Sequence, residues 1–180
     1  MIVIGAVFTL ARFSEAFLVL RARQAGLPIA WTPLILIAMN VIYALSAYPF
    51  GRLSDSLSHT KLLSLGLAFL IASDLSLALS DSLSLIFIGA TLCGLHMGAT
   101  QGLLATMVAD AAPVDLRGTA FGIFNLLSGL TMLIASALAG LLWDRLGSSF
   151  TFYAGALFGG LTLITTILVR PARVRVIDNV

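Results

Sequence analysis

Charge is scarce in this chain. Eight acidic and ten basic residues occur among 180, a charged fraction of 10% against 59% apolar. A soluble domain carries about 25% charged residues, so these few cannot cover its surface. Disorder is excluded by the same numbers, because it needs low hydrophobicity and high charge. A net charge of +2, with no basic patch interleaved with aromatics, gives no sign of a nucleic-acid partner. The single cysteine, Cys93, forms neither an internal disulfide nor a cysteine-based zinc site. Two histidines leave no histidine-rich metal motif, so no metal and no cofactor is expected. No P-loop is present, which removes ATP hydrolysis. A membrane serine protease would need an elbow such as G-x-S-G. The nearest stretch, Asn125-Leu-Leu-Ser128-Gly129, lacks the first glycine. An enzyme is therefore not expected.

Long apolar runs are what the chain does have. A helix crossing about 30 Å of hydrocarbon needs about 20 apolar residues. Residues 31–50, 119–142 and 150–169 qualify with no charge, 62–79 with only Asp74, and 83–109 with only His96. A sixth run, residues 1–20, holds Arg12 and Glu15. Each charge costs about 3 kcal/mol on an insertion scale, which nearly cancels the gain from the apolar residues. This helix is expected to depend on its neighbours. Charges inside the run and no positive leader before it argue against a signal peptide. Turns are expected at 21–30, 51–61, 80–82, 110–118 and 143–149. Trp31, Tyr48, Trp143 and Tyr153 lie near helix ends, where amphipathic rings favour the headgroup level.

Six spans put both termini on one side. Arg52, Lys61, Arg117, Arg170, Arg173 and Arg175 share it, against Arg21, Arg23 and Arg145 opposite. That bias favours cytoplasmic termini in a multi-pass protein of the cell (inner) membrane. The pattern G-x-L-x-D-x-L occurs at Gly51 and again at Gly140, 89 residues later. Each copy follows the second helix of a three-helix unit. Three is odd, so units of about 1–82 and 83–180 run oppositely through the bilayer. Inverted repeats of this kind mark secondary transporters; a chance match of common helix-end residues is the alternative.

These residues resemble the major facilitator superfamily. Its loop signature is roughly G-x-L-[AS]-D-R-x-G-R-[RK], and here Gly51, Leu53, Ser54 and Asp55 match. Ser56, Ser58, His59 and Thr60 replace its basic positions and second glycine. The stretch from Asp115 through Arg117 and Gly118 to Gly122 is similar to the start of the family's eleventh helix. The stretch Arg12-Phe-Ser-Glu15-Ala-Phe is similar to a seventh helix. The resemblance covers nearly the whole chain and implies an all-α integral membrane protein of six transmembrane helices, helices seven to twelve of a twelve-helix fold. It implies a secondary transporter, or half of one, that moves a small solute or drug by alternating access, with proton coupling resting on Glu15 and His96. The alternatives are an inactive fragment of a twelve-helix carrier and a half-transporter that works only as a dimer. The expected partners are a small-molecule substrate, protons, the lipid bilayer, and a missing N-terminal half or a second copy.

The polar residues inside the spans carry the rest. Arg12 and Glu15 lie about 60° apart on one helix face. A charge at mid-membrane is costly unless paired or hydrated. They either face a water-filled cavity, where Glu15 exchanges a proton or binds a cationic group, or lock two helices as an ion pair. The resemblance supports the first, since the family's seventh helix lines its central cavity. Gly94, Gly98 and Gly102 make a small-residue stripe for close helix packing. His96 lies about 200° from Gly98. With Thr100 and Gln101 it is a substrate or proton candidate, or else a neutral histidine bonded to a neighbouring helix. Cys93 is read as a packing residue. Asp55 pairs with Arg117 as the cytoplasmic gating contact that the resemblance implies, together with Gly51, or sits at a helix N-terminus, where carboxylates are favoured, or is a solvated turn residue. Asp74 is placed near the outer end of a peripheral helix and given no role. The basic tail is read as a topology anchor.

Overall fold

The computed structural model describes residues 14–168. Its elements are α1 (Ala16–Gln24), α2 (Pro33–Ser56), α3 (His59–Ala78), α4 (Leu83–Ala111), α5 (Arg117–Leu146) and α6 (Ser148–Leu168). Short 3-10 turns at Ile29–Trp31 and Val114–Leu116 lead into α2 and α5. No strand occurs among the described residues. Helices α2 to α6 are each long and apolar enough to cross a bilayer. Most of the first expected span, Arg12 included, lies outside the described residues.

Local chemistry sets the boundaries, and several differ from the apolar runs. α1 continues to Gln24 rather than ending at residue 20. Gly26, at φ 92°, closes it, with Gly26 N–H donating to Arg23 O (3.0 Å) and Leu27 N–H to Ala22 O (3.1 Å). That paired arrangement needs a left-handed residue, which glycine supplies. α2 starts with Pro33 in its first turn, where the missing N–H costs nothing. It then runs through Pro49 to Ser56, so the turn expected at 51–61 shrinks to Leu57 and Ser58. Ser54 Oγ donates to Gly51 O (2.6 Å) and Ser56 Oγ to Leu53 O (3.1 Å) in this extra stretch. α5 likewise extends to Leu146. It stops at Gly147, whose φ of 98° turns the chain directly into α6.

α4 is the centre of the bundle, packed on α2 by one side and on α3 by the other. A Cβ on Gly94 would strike Met39 O of α2, and one on Gly98 would strike Ser46 Oγ. On the α3 side, a Cβ on Gly66 would strike Thr100 Cγ2, and one on Gly89 would come 2.7 Å from Leu77 Cγ. These glycines let backbones approach closely, which drives helix association where lipid removes the hydrophobic force. α6 packs on α3, with Gly159 beside Ile71, and α5 leans mainly on α6. Half of the apolar window of α3 and of α4 is buried, against 11% for α5. Leu126, Leu130, Leu133 and Leu141 of α5 are exposed, as are Val41, Leu45 and Tyr48 of α2. Trp143 is half-buried rather than at the surface, its ring 5.6 Å from Phe17 and 6.2 Å from Phe152.

Candidate transport site

The apolar interior divides into two clusters. One holds Phe17, Met39, Leu77, Met97 and Phe152, the other Leu62, Leu67, Leu70 and Leu103. Where they meet, between α1, α3, α4, α5 and α6, lies a cavity of about 50 Å³. Glu15, Asp74, Cys93 and His96 all line it. A water needs about 10–15 Å³ of such space, so a few waters fit. A drug-sized solute needs about 300–1,000 Å³ and does not fit.

His96 is 1% exposed, and its Nδ1 lies 2.8 Å from Gly66 O on α3. A carbonyl only accepts, so Nδ1 carries the hydrogen of this bond. Any change of charge on the ring therefore happens at Nε2. The bond exists because Gly66 lets α3 come against α4. Thr100, fully buried, donates to His96 O (2.8 Å) and packs on Gly66. It faces α3 and is closed to a solute. Gln101 points elsewhere, accepting from Tyr43 OH of α2 (3.3 Å), and is half-buried. The structure thus brings Glu15 and His96 to one cavity and sets Thr100 and Gln101 apart from it.

Asp74 is the residue that the sequence reading passed over: it stands one turn before the end of α3, and the correction is that it is buried there, in a helix packed on α4 and α6, rather than peripheral. It is 4% exposed, and its Oδ2 has no hydrogen-bond partner among the described residues. Next to it Ser73 Oγ donates to Gly89 O (2.7 Å), tying α3 to α4. The available signal was cost: Asp74 is the one charge in its span, and an intramembrane carboxyl is a candidate functional group by default. Arg21 was also missed, having been counted only for topology. Its Nε donates to Leu77 O (3.1 Å) and Ser80 Oγ (3.0 Å), Nη1 to Gln24 Oε1 (3.3 Å) and Ser148 Oγ (2.9 Å), and Nη2 to Ser80 O (2.8 Å). One guanidinium therefore joins the ends of α1 and α3 to the start of α6. A cation there also complements the carbonyl end of α3.

At the opposite end, Gly51 and Asp55 are exposed in the last turns of α2. Arg117 Nε donates to Ala109 O (3.2 Å), and no ion pair joins it to Asp55 among the described residues. Of the glycine stripe, Gly94 and Gly98 meet α2, whereas Gly102 has open space around it. No group of three or more metal-ligating side chains occurs among the described residues.

A bundle of apolar, bilayer-length helices with Asp74 and His96 buried beside a small cavity defines a polytopic membrane protein with ionisable groups in its interior. The sequence model of the Major Facilitator Superfamily matches residues 2–179. The chain belongs to this transporter superfamily. An uncharacterized MFS-type transporter of Methanocaldococcus jannaschii is 33% identical over 177 residues, covering 91% of this chain and 43% of the relative. The class H tetracycline resistance protein of Pasteurella multocida is 30% identical over 131 residues, 72% of this chain and 31% of the relative. An inner membrane transport protein of Escherichia coli is 31% identical over 123 residues, 68% of this chain and 27% of the relative. The chain spans less than half the length of each of these relatives.

Proposed function

We propose that this chain forms one six-helix half of a secondary active transporter that moves a small solute or drug by alternating access in exchange for protons. The observation that carries this reading is the convergence of Glu15 and His96 on one cavity. Its size separates two tasks. The cavity takes protons and water, while the solute binds on the outward faces of α1, α2, α4 and α5, where Gln101 and Tyr43 supply polar contacts. Glu15, half-buried at the cavity, and His96, at Nε2, relay the proton. The units 1–82 and 83–180 act as inverted repeats. The end bearing Arg52 and Arg117 faces the cytoplasm, both termini with it, and the Arg21 end faces outward. Gly51, Asp55 and Arg117 gate the cytoplasmic end, the Asp55–Arg117 pair forming only when that end closes. The names of relatives, two of them tetracycline resistance proteins, make efflux the favoured direction.

The test uses everted vesicles from an efflux-deficient bacterium expressing the full protein, acidified by respiration and followed with a pH-quenched dye. Addition of tetracycline, or of another member of a drug panel, releases quench in the wild type and not in Glu15→Gln at equal abundance. Drug movement that survives collapse of the gradient by nigericin would overturn proton coupling.

A second reading is favoured by the exposed apolar faces of α2 and α5. These faces pack against a second six-helix unit, either an N-terminal half or another copy, and the chain is inactive without it. An epitope tag at the chromosomal locus separates the two. A membrane band near 18.9 kDa directs the search to a second copy or a separate half. One near twice that mass places both halves in one polypeptide.

A further inference from the structure

The proton-coupled reading leaves open which group holds the proton between its two exposures. Glu15 is half-buried, and His96 already spends Nδ1 on Gly66 O. Asp74 differs from both. It is deeply buried, aimed into the cavity, and has an oxygen without a partner among the described residues. The ionisable groups lining the cavity with it are Glu15, at the N-cap of α1, and Cys93 and His96 from α4; α5 and α6 contribute Met132 and Phe152, which carry no charge. A carboxylate so placed has no cation to neutralise it among the described residues. Arg21 stands one helical turn beyond Asp74, but its donors go to Leu77 O, Ser80 and Ser148.

That arrangement gives Arg21 a second consequence. Leu77 lines the cavity and accepts from Arg21 with its carbonyl. The same guanidinium holds α1 and α6 across this end of the cavity. We propose that Asp74 is the group on which the chain stores the transported proton, and that the Arg21 cluster is the outer seal of its cavity. This rests on the transporter reading above. In the step itself, an Asp74 carboxylate oxygen forms an O–H bond with a proton delivered by hydronium, which leaves as water. Release on the cytoplasmic side is the reverse. When the outer end of α1 swings away, the Arg21 bonds break and water reaches Asp74 from outside. When they reform, the proton is enclosed.

Two measurements, neither needing a substrate, test this on the full protein. The first is an acid-minus-alkaline infrared difference spectrum of purified protein in lipid. Beside the broad band of the exposed carboxyls, a separate band from a protonated carboxyl in an apolar setting is expected in the wild type and in Glu15→Gln, and lost in Asp74→Asn. Loss in Glu15→Gln with retention in Asp74→Asn, or no separate band at all, overturns the assignment. If Asp74→Asn does not accumulate, Asp74→Glu carries the same test, because its band must shift in frequency. The second uses Cys93, the single cysteine of this chain and a lining residue of the cavity. In intact cells expressing a tagged protein with any cysteines outside this chain replaced, a membrane-impermeant cationic methanethiosulfonate should modify Cys93 slowly in the wild type. Modification should be at least about tenfold faster in Arg21→Lys, which keeps the charge and loses the fork that reaches four residues. Equal rates would overturn the seal. Drug-driven proton movement that persists without the Asp74 band would sink only the Asp74 assignment; the band without any such movement would sink only the transporter reading.

Discussion

Replacing Gly94 with alanine would set a methyl group against backbone. Its Cβ would strike the Met39 carbonyl oxygen and stand 3.1 Å from Ile42 Cβ and 3.2 Å from Ile42 Cγ2. A side-chain tip can swing aside, but a carbonyl in the middle of α2 cannot, so α2 and α4 must separate. Overpacking of this sort costs about 1–3 kcal/mol. Lipid offers no hydrophobic compensation, because helix association there rests on close packing. Alanine returns about 1 kcal/mol of helix propensity. With a backbone obstacle the upper part of the cost applies, leaving a net loss of about 1–2 kcal/mol. At about 2–4 °C per kcal/mol for a chain of this size, the apparent Tm should fall by about 2–8 °C. Gly102→Ala is the control on the same helix and stripe. Its Cβ meets nothing within 4 Å, so its Tm should hold or rise. Heating detergent-solubilised, fluorescently tagged protein and counting what survives size exclusion gives both numbers. If Gly94→Ala melts with or above Gly102→Ala, the close α2–α4 approach is refuted.

Gly147→Ala should lower the apparent Tm by an amount corresponding to about 1 kcal/mol or more, since φ 98° is strained for any L side chain although space is open there. The α5–α6 corner would be in doubt if that variant were neutral. His96→Gln should keep thermal stability through a donor to Gly66 O yet lose proton-linked transport, whereas His96→Ala should lose both; full transport in His96→Gln would reduce the ring to a helix clamp. Single charge reversals Asp55→Arg and Arg117→Asp should each slow transport, and the double reversal should restore it. Failure of that rescue removes the pair from gating.

The helices were legible as apolar runs because a bilayer demands about 20 such residues from any spanning helix. Their ends were less so. The apolar run ends at residue 50 and a turn is expected from 51, but α2 continues through Pro49 and Gly51 to Ser56. Within or near lipid the backbone has few alternative partners, so helix persists where in water it would stop. The glycine stripe was visible, but not that Gly94 and Gly98 meet α2 while Gly102 meets open space. Which side of a helix is covered depends on neighbours that periodicity does not reveal. Asp74 shows the same limit. A lone carboxyl in an apolar span reads alike whether it reaches the headgroups or ends buried, and only the packing of α3 on α4 settles its fate. Arg21 was legible as a charge but not as a hub, because its partners on other helices lie 56 to 127 residues away in sequence.

The most direct test of the central claim is proton movement driven by solute. Proteoliposomes of the full protein enclosing a pH-sensitive dye are challenged with a compound found active in the vesicle panel. The account predicts that solute movement shifts the internal pH in the wild type, and that Glu15→Gln at equal density shifts neither solute nor pH. Solute movement without a pH change, or an unaltered Glu15→Gln, would contradict it.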